Sequence, residues 1–222
     1  NDLYYQDKNS LYRLESSGLP KKIINGKTFD DYLIKNNYIC LIIKSRTAAN
    51  LEIIDAATGQ NLKTINLPAA PNYSFINTEQ NLLNLYDRGH KILYLIDPLA
   101  AYQPLKEIIN NVKTAYWINS GNLLYANDFE IWLYGLEAKN KILITRISDA
   151  INQTILHPSK DYIIYSTKKT INAIELDERE KRNSTELIKF DAIGSFLLAN
   201  GDIIYFSGKI GQAEGLYKFL IQ

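Results

Sequence analysis

Four tyrosines, Tyr86, Tyr125, Tyr165 and Tyr205, stand 39, 40 and 40 residues apart, each inside an apolar run. Each run follows a turn rich in Asn, Asp or Gly. A helical period does not produce such an interval. A repeated supersecondary unit does, and about 40 residues is the length of four short strands joined by tight turns. The stretch Thr114–Ile147 is the clearest copy of that unit, and most of the chain reads as imperfect copies of it.

Taken in order, the chain enters mid-unit. Asp2–Tyr5, Ser10–Leu14 and Lys22–Ile24 read as second, third and fourth strands. A full unit follows at Tyr32–Ile34, Tyr38–Ile43, Leu51–Asp55 and Leu62–Leu67, and another at Tyr73–Ile76, Leu82–Tyr86, Ile92–Asp97 and Leu105–Ile109. Thr114–Ile147 is the third, and Thr154–Leu156, Tyr162–Ser166, Ile171–Leu176 and Glu186–Phe190 make the fourth. Ser195–Leu198, Asp202–Ser207 and Leu216–Leu220 form a final piece of three strands. The expected fold is all-β, a β-propeller of about six four-stranded antiparallel blades with the terminal ones incomplete. Either two blades are short, or upstream residues complete a ring of six or seven. Residues 1–222 are expected to be a single propeller domain, part of a longer chain. Two segments also admit a helix: Leu99–Val112, with Leu105, Ile108, Ile109 and Val112 at helical spacing, and Thr28–Lys35.

The turns sit where hairpins need them. Asn119–Asn122, Pro158–Asp161 and Ala199–Asp202 each separate a first from a second strand, and Asp55–Gly59 carries a turn-starting Asp and a Gly suited to positive φ. Gly89, in Asp87–His90 between two strands, reads as a hairpin residue. Some strands, such as Ile203–Phe206, are apolar throughout, as expected of strands covered on both faces by neighbouring blades. On this reading Trp132→Ala costs about 3–5 kcal/mol if the ring is buried.

Composition narrows the class further. A chain of 222 residues with 46% hydrophobic and 22% charged residues can bury one substantial core or several small ones. Sixteen tyrosines and no methionine favour strands. A formal net charge of +1 declares no face for nucleic acid or an anionic membrane. No run approaches the ~18–20 apolar residues of a membrane span, so these residues are not expected to insert directly. The chain opens at Asn1, so the absence of a leader says little. Cys40, the single cysteine, excludes an internal disulfide and reads as a small core residue.

The segment His157–Ser166 resembles the TolB-like propeller repeat, in which a Pro-Asp-Gly-Lys turn separates the first two strands of a blade. Phe129–Tyr134 looks like the family's following strand. Gly135 stands where that strand usually ends in Asp, and the turn at 158–161 lacks the family's Gly. Ile174–Asn183, Gly208–Gln212 and Gly215–Lys218 resemble the C-terminal propeller of bacterial PEGA-domain proteins. That resemblance implies an extracytoplasmic, cell-surface binding protein, anchored to a membrane through an upstream segment not present in these residues. A cytoplasmic location stays open.

No catalytic, cofactor-binding or metal-binding residue is assigned, no cofactor is expected, and the ligand-binding residues are unknown. His90 and His157 lie 67 residues apart in turns, without partners at metal-ligand spacing, and read as exposed turn residues. Phosphate loops, nucleophile elbows and Cys/His clusters are lacking in the sequence. Asp87 with Asp97, and Asp128 with Glu130, are carboxylate pairs only on paper. Glu175–Arg182 reads as a solvated loop of mixed charge, with a partner-binding patch as the sharper alternative. Trp117 and Trp132 are either filler between blades or a stacking platform for a sugar or peptide. The expected function is a non-enzymatic binding or scaffolding module, monomeric, whose ligand is a protein or a cell-envelope polymer. Two alternatives stand beside it. One is an enzyme-associated propeller, a hydrolase, lyase or peptidase gate with its site in the central channel. The other is a spacer, which would have no pocket.

Overall fold

The computed structural model of the chain describes residues 3–7, 9–15, 17–35, 37–44, 48–70, 72–76, 81–177 and 182–221. Every helix or strand element among them is a strand. The strands fall into two compact units, Asn1–Asn111 and Val112–Gln222.

The first unit holds three antiparallel sheets, each running in chain order. One is β1 (Leu3–Asp7), β2 (Ser10–Leu14) and β3 (Pro20–Ile24). The next is β4 (Asp31–Lys35), β5 (Tyr38–Lys44), β6 (Ala49–Asp55) and β7 (Asn61–Leu67). The third is β8 (Tyr73–Ile76), β9 (Leu83–Asp87), β10 (Ile92–Ile96) and β11 (Leu105–Ile109). In the second unit, β12 (Thr114–Trp117), β13 (Asn122–Ala126), β14 (Glu130–Gly135) and β15 (Asn140–Arg146) form one sheet. β16 (Gln153–Leu156), β17 (Tyr162–Ser166), β18 (Thr170–Glu175) and β19 (Ser184–Lys189) form another. A three-stranded sheet of β20 (Ala192–Ala199), β21 (Ile203–Ile210) and β22 (Ala213–Leu220) completes it.

The tyrosine interval has a structural origin. Tyr86, Tyr125 and Tyr165 are each the fourth residue of the second strand of a sheet, and each faces the second residue of the first strand: Ser74, Ala115 and Thr154. Tyr205 lies in β21, again a second strand, opposite Leu197.

Bulges identify the partial sheets. Every pairing of a third with a fourth strand carries one extra residue on the outer strand or a shift of register, at Ile53/Ile54, Leu95/Ile96, Ile131/Trp132 and Ile171/Asn172. β2 and β3 show the same irregularity at Leu11/Tyr12, between the second and third residues of the strand, as in β14 and β18. The first sheet therefore consists of strands two, three and four, as the sequence order implied. β21 and β22 pair without a bulge, as a second and third strand do elsewhere.

Within each unit the first strands of neighbouring sheets touch, β4 against β8, and β16 against both β12 and β20. Polar side chains tie these edges to backbone. The Asp31 carboxylate accepts the Phe75 N–H at 2.8 Å, and the Tyr116 hydroxyl donates to the Thr154 carbonyl at 2.6 Å. The Gln153 amide donates to the Phe196 carbonyl at 2.7 Å and accepts its N–H at 3.2 Å. Buried backbone groups at a sheet edge need such partners.

The cores lie between sheets. The side chains of β5 alternate between two of them: Cys40 and Ile42 pack with Leu83 and Leu85 on one face, Ile39 and Leu41 with Leu11 and Ile24 on the other. In the second unit one core joins Leu124 and Ile131 to Ile163 and Ile174, and another joins Ile164 and Ile171 to Phe196, Ile204 and Phe206.

Several expectations are corrected. Leu99–Val112 holds β11, not a helix: its strand geometry buries Ile109 and leaves Leu105 and Ile108 exposed. Thr28–Lys35 likewise ends in β4. Ile203–Phe206 is not equally covered on its two faces: Ile204 and Phe206 are buried, Ile203 and Tyr205 half-buried. Trp132 is half-buried, and the buried ring of its strand is Tyr134, so the cost expected for a buried tryptophan belongs there. Gly89 lies in the β9–β10 turn, as expected, and the left-handed residue of that turn is Lys91, with φ 56°. Gly59 does take φ 75°, and a Cβ there would also lie 2.5 Å from the Ile23 carbonyl oxygen. Asp2, at the head of the first expected strand, lies outside the described residues.

Candidate functional site

The second unit carries an open groove of about 690 Å³. Its apolar lining comes from Ile118 after β12, Leu133 of β14, Ile144 of β15 and Leu176 just after β18. Asn122, Lys160, Asp161, Tyr162, Glu175 and Asp177 supply the polar part. Two neighbouring sheets therefore build it, each contributing the end at which its first strand turns into its second.

The repeat explains why these residues meet. Asn119–Asn122 and Pro158–Asp161 are equivalent turns in successive units, so their ends rise side by side. At the first, the Asn119 side-chain oxygen accepts the N–H groups of Gly121 and Asn122, both at 2.9 Å, an Asx turn that needs no left-handed glycine. At the second, Lys160 takes φ 63°. It occupies a left-handed position that glycine fills at no steric cost, in a region that costs a side-chain-bearing residue about 1–2 kcal/mol.

His157 fixes the far wall. Its ring stacks on Tyr162 with centroids 4.1 Å apart and planes at 18°. Nδ1 accepts the Ser159 N–H at 3.2 Å and lies 2.8 Å from the Ser159 hydroxyl, while Nε2 sits 2.5 Å from the Gly201 carbonyl. A carbonyl only accepts, so these partners assign the neutral Nε2–H tautomer. The imidazole thus braces the Tyr162 ring against the neighbouring β20–β21 turn. Burial, with Asp161 nearby, pushes the Tyr162 phenol above its ordinary value.

The residues singled out from sequence are dispersed. His157 is half-buried and engaged, which corrects its reading as an exposed turn residue. His90 is exposed; its Nδ1 lies 2.6 Å from the buried Asp87 carboxylate, which also accepts the N–H groups of Gly89 and His90. Asp97 caps its own turn through Leu99 and Ala100 and pairs with Lys106 at 3.7 Å, so Asp87 and Asp97 each serve a separate turn. Asp128 meets Lys113 at 3.4 Å. Glu130 accepts from Asn127, the Trp132 indole and Arg146, and those bonds, Asn127's first, hold its carboxyl below the usual carboxylate range. Trp132 is thus a partner of Glu130, and the Trp117 indole N–H is enclosed without a hydrogen-bond partner among the described residues. Cys40 is buried, its thiol pushed up to about 12 mainly by burial. Of the mixed-charge loop, Glu175 and Asp177 reach the groove and Glu175 accepts from Asn183 at 3.0 Å; residues 178–181 lie outside the described residues. Among the described residues no group of three potential ligands is placed to hold a metal ion, and no helix is long and apolar enough to cross a membrane.

Sequence reasoning missed the groove because its apolar lining is contributed by single residues in or beside four different strands. Only the mixed-charge loop and the Pro158–Asp161 turn signalled it.

No protein-family model matches the chain, and no curated protein does. Solved structures do match in fold. Hsv2 of Kluyveromyces lactis superposes with a TM-score of 0.64 at 14% identity, over 100% of this chain and 71% of that one. The C-terminal WD40 domain of Sif2 gives 0.60 at 13% identity, covering 93% and 63%. A protein from Lactobacillus plantarum gives 0.53 at 12% identity, covering 96% and 76%. With the sheets above, these likenesses define the class: an all-β protein of the β-propeller type, whose six sheets among the described residues correspond to the six units of the sequence. The propeller part of the sequence resemblance holds, with neighbours of the WD40 and Hsv2 kind.

Proposed function

We propose that this protein is a non-enzymatic binding and scaffolding propeller whose docking surface for a protein partner is the groove of the second unit. The observation that carries the reading is the groove itself: an apolar strip of Ile118, Leu133, Ile144 and Leu176 beside polar side chains, about 690 Å³ in volume and open to solvent. Such a combination suits an apolar side chain with polar flanks, the chemistry of a peptide segment. Three carboxylates, Asp161, Glu175 and Asp177, stand there against the one ammonium of Lys160, which favours a partner with basic residues. A bare spacer would have no use for this surface. The WD40 domain among the structural neighbours is compatible with the reading, on fold alone. A cell-envelope setting belongs to the same proposal and rests on the resemblance of residues 174–183 and 208–218 to PEGA-associated propellers. So does the narrower TolB-like kinship, which rests on residues 157–166.

The test is a selection from a random peptide library displayed on phage, with wild-type protein as bait and Leu176→Arg as counter-bait. Peptides that bind the wild type and lose at least about tenfold in affinity to the variant, equivalent to about 1.4 kcal/mol, support the groove. Selected peptides that bind both proteins equally would move the function elsewhere on the molecule. A circular-dichroism melt of the variant establishes that it is folded.

A further inference from the structure

The residues lining the groove divide by sheet. The β12–β15 sheet contributes aliphatic Ile118, Leu133 and Ile144, with Asn122 as its polar member, and no charge. The β16–β19 sheet contributes all the charged lining residues: Lys160 and Asp161 from the turn before β17, and Glu175 and Asp177 at the end of β18. All four are exposed. The two sheets share one core, Leu124 and Ile131 against Ile163 and Ile174, so their groove sides face each other. One wall is therefore neutral and mostly aliphatic, and the other is net acidic.

A segment lying between such walls meets different chemistry on its two sides. An extended chain directs successive side chains to opposite sides. Its matching pattern alternates, with an aliphatic residue toward the neutral wall and a basic one toward the acidic wall. A helix presents a comparable set of anchors only over about two turns, which with their side chains occupy on the order of 900 Å³. The groove holds about 690 Å³. Room decides for the extended form. The stem of a lysine also finds a surface to lie on, because the Tyr162 ring and Leu176 stand among the carboxylates.

We propose that the groove recognises an extended partner segment in which aliphatic and basic residues alternate. This pattern rests on the reading of the groove as a docking surface, and adds to it the order of residues in what is bound. Composition alone does not satisfy the two walls. The same residues arranged in blocks turn one lysine toward the aliphatic wall and one leucine toward the carboxylates.

Two fluorescein-labelled peptides of one composition test the pattern by anisotropy against the whole protein. One has a Leu-Lys-Leu-Lys core and the other Leu-Leu-Lys-Lys, each flanked by Gly-Ser. The alternating peptide is expected to bind with a Kd on the order of tens to hundreds of micromolar, and its isomer at least about fivefold more weakly. Asn122→Asp places a carboxylate on the neutral wall without changing the size of the side chain. The isomer's misplaced lysine then gains a partner, and the preference should shrink to less than about twofold. Circular dichroism first establishes that this variant and Leu176→Arg are folded. Equal binding of the two peptides to the wild type, with both lost to Leu176→Arg, overturns the alternation and leaves the groove in place. Binding of both that is indifferent to Leu176→Arg overturns the groove and the alternation together. No binding of the alternating peptide up to about 1 mM, or a preference that Asn122→Asp leaves intact, overturns the alternation as well.

Discussion

β5 and β21 are both second strands, yet they sit in different surroundings. Five consecutive residues of β5, Tyr38–Ile42, are buried, because sheets on either side receive its alternating faces. Of the eight residues of β21 only Ile204 and Phe206 are buried, both in the single core shared with the β16–β19 sheet. Strand composition is similar; within its own unit β5 packs against sheets on two sides and β21 against one. A continuous apolar run therefore records a strand's capacity for two-sided burial, which the surroundings then use or leave unused.

The sharpest way to break this comparison is a pair of leucine truncations. Leu41→Ala opens a cavity in a two-sided core and is expected to cost about 2–5 kcal/mol. Leu197→Ala, in the strand beside β21 and 54% exposed in the native fold, should cost no more than about 0.5 kcal/mol. Urea denaturation followed by fluorescence measures both. Equal losses would mean that the last sheet is as fully covered as the second.

A second contrast is electrostatic. Around β5, burial pushes the Cys40 thiol and the Tyr38 phenol up to about 12, and the Tyr73 phenol also upward. In the unfolded chain such groups ionise near about 8.5 for Cys and about 10 for Tyr. Between those values and about 12 the native state holds the extra protons, so stability is fully present below pH ~8.5 and falls as pH rises. Lys35, lowered chiefly by burial, works the other way: approaching pH ~10.4 the unfolded chain holds the extra proton, and this group alone would add stability with rising pH. Three groups oppose one, so the urea midpoint should decline across this window. Cys40→Ala should flatten the decline from its acid end. An unchanged slope in that variant would show that the thiol ionises natively as it does in the unfolded chain.

The sequence made the architecture legible because a propeller repeats its register. Tyrosines in the second strands of successive sheets, three of them opposite the second residue of the first strand, report strand order without any long-range information. Ser10–Leu14, Tyr73–Ile76, Leu105–Ile109 and Tyr162–Ser166 were delimited to the residue, since their flanking turns carry Asn, Asp, Pro or Gly. The difference between buried Ile204 and Phe206 and half-buried Ile203 and Tyr205 was hidden, because all four residues are apolar or aromatic and the strand's own composition does not separate its faces. The groove was hidden for a related reason. Ile118, Leu133, Ile144 and Leu176 look like core residues in any window and do pack in or against the core, and only the juxtaposition of two sheets opens a groove along them. His157 was misread because its partners, Tyr162 and Gly201, lie five and 44 residues away.

The smallest expected effect compares two turns at equivalent places in adjacent sheets. In Ala199–Asp202 the left-handed residues are Asn200 at φ 53° and Gly201 at φ 84°, residue types that tolerate the conformation. In Pro158–Asp161 the left-handed residue is Lys160, which does not. Lys160→Gly should relieve that strain and, after the greater freedom glycine brings to the unfolded chain, raise stability by about 0.5–1 kcal/mol. The urea midpoint reads the change. A loss instead would show that the Lys160 ammonium contributes more through Asp161, Glu175 and Asp177 across the groove than its backbone costs. In that case the strained turn is held in place by the same charges that are proposed to receive a partner, and the partner's basic residues would compete with Lys160 for them.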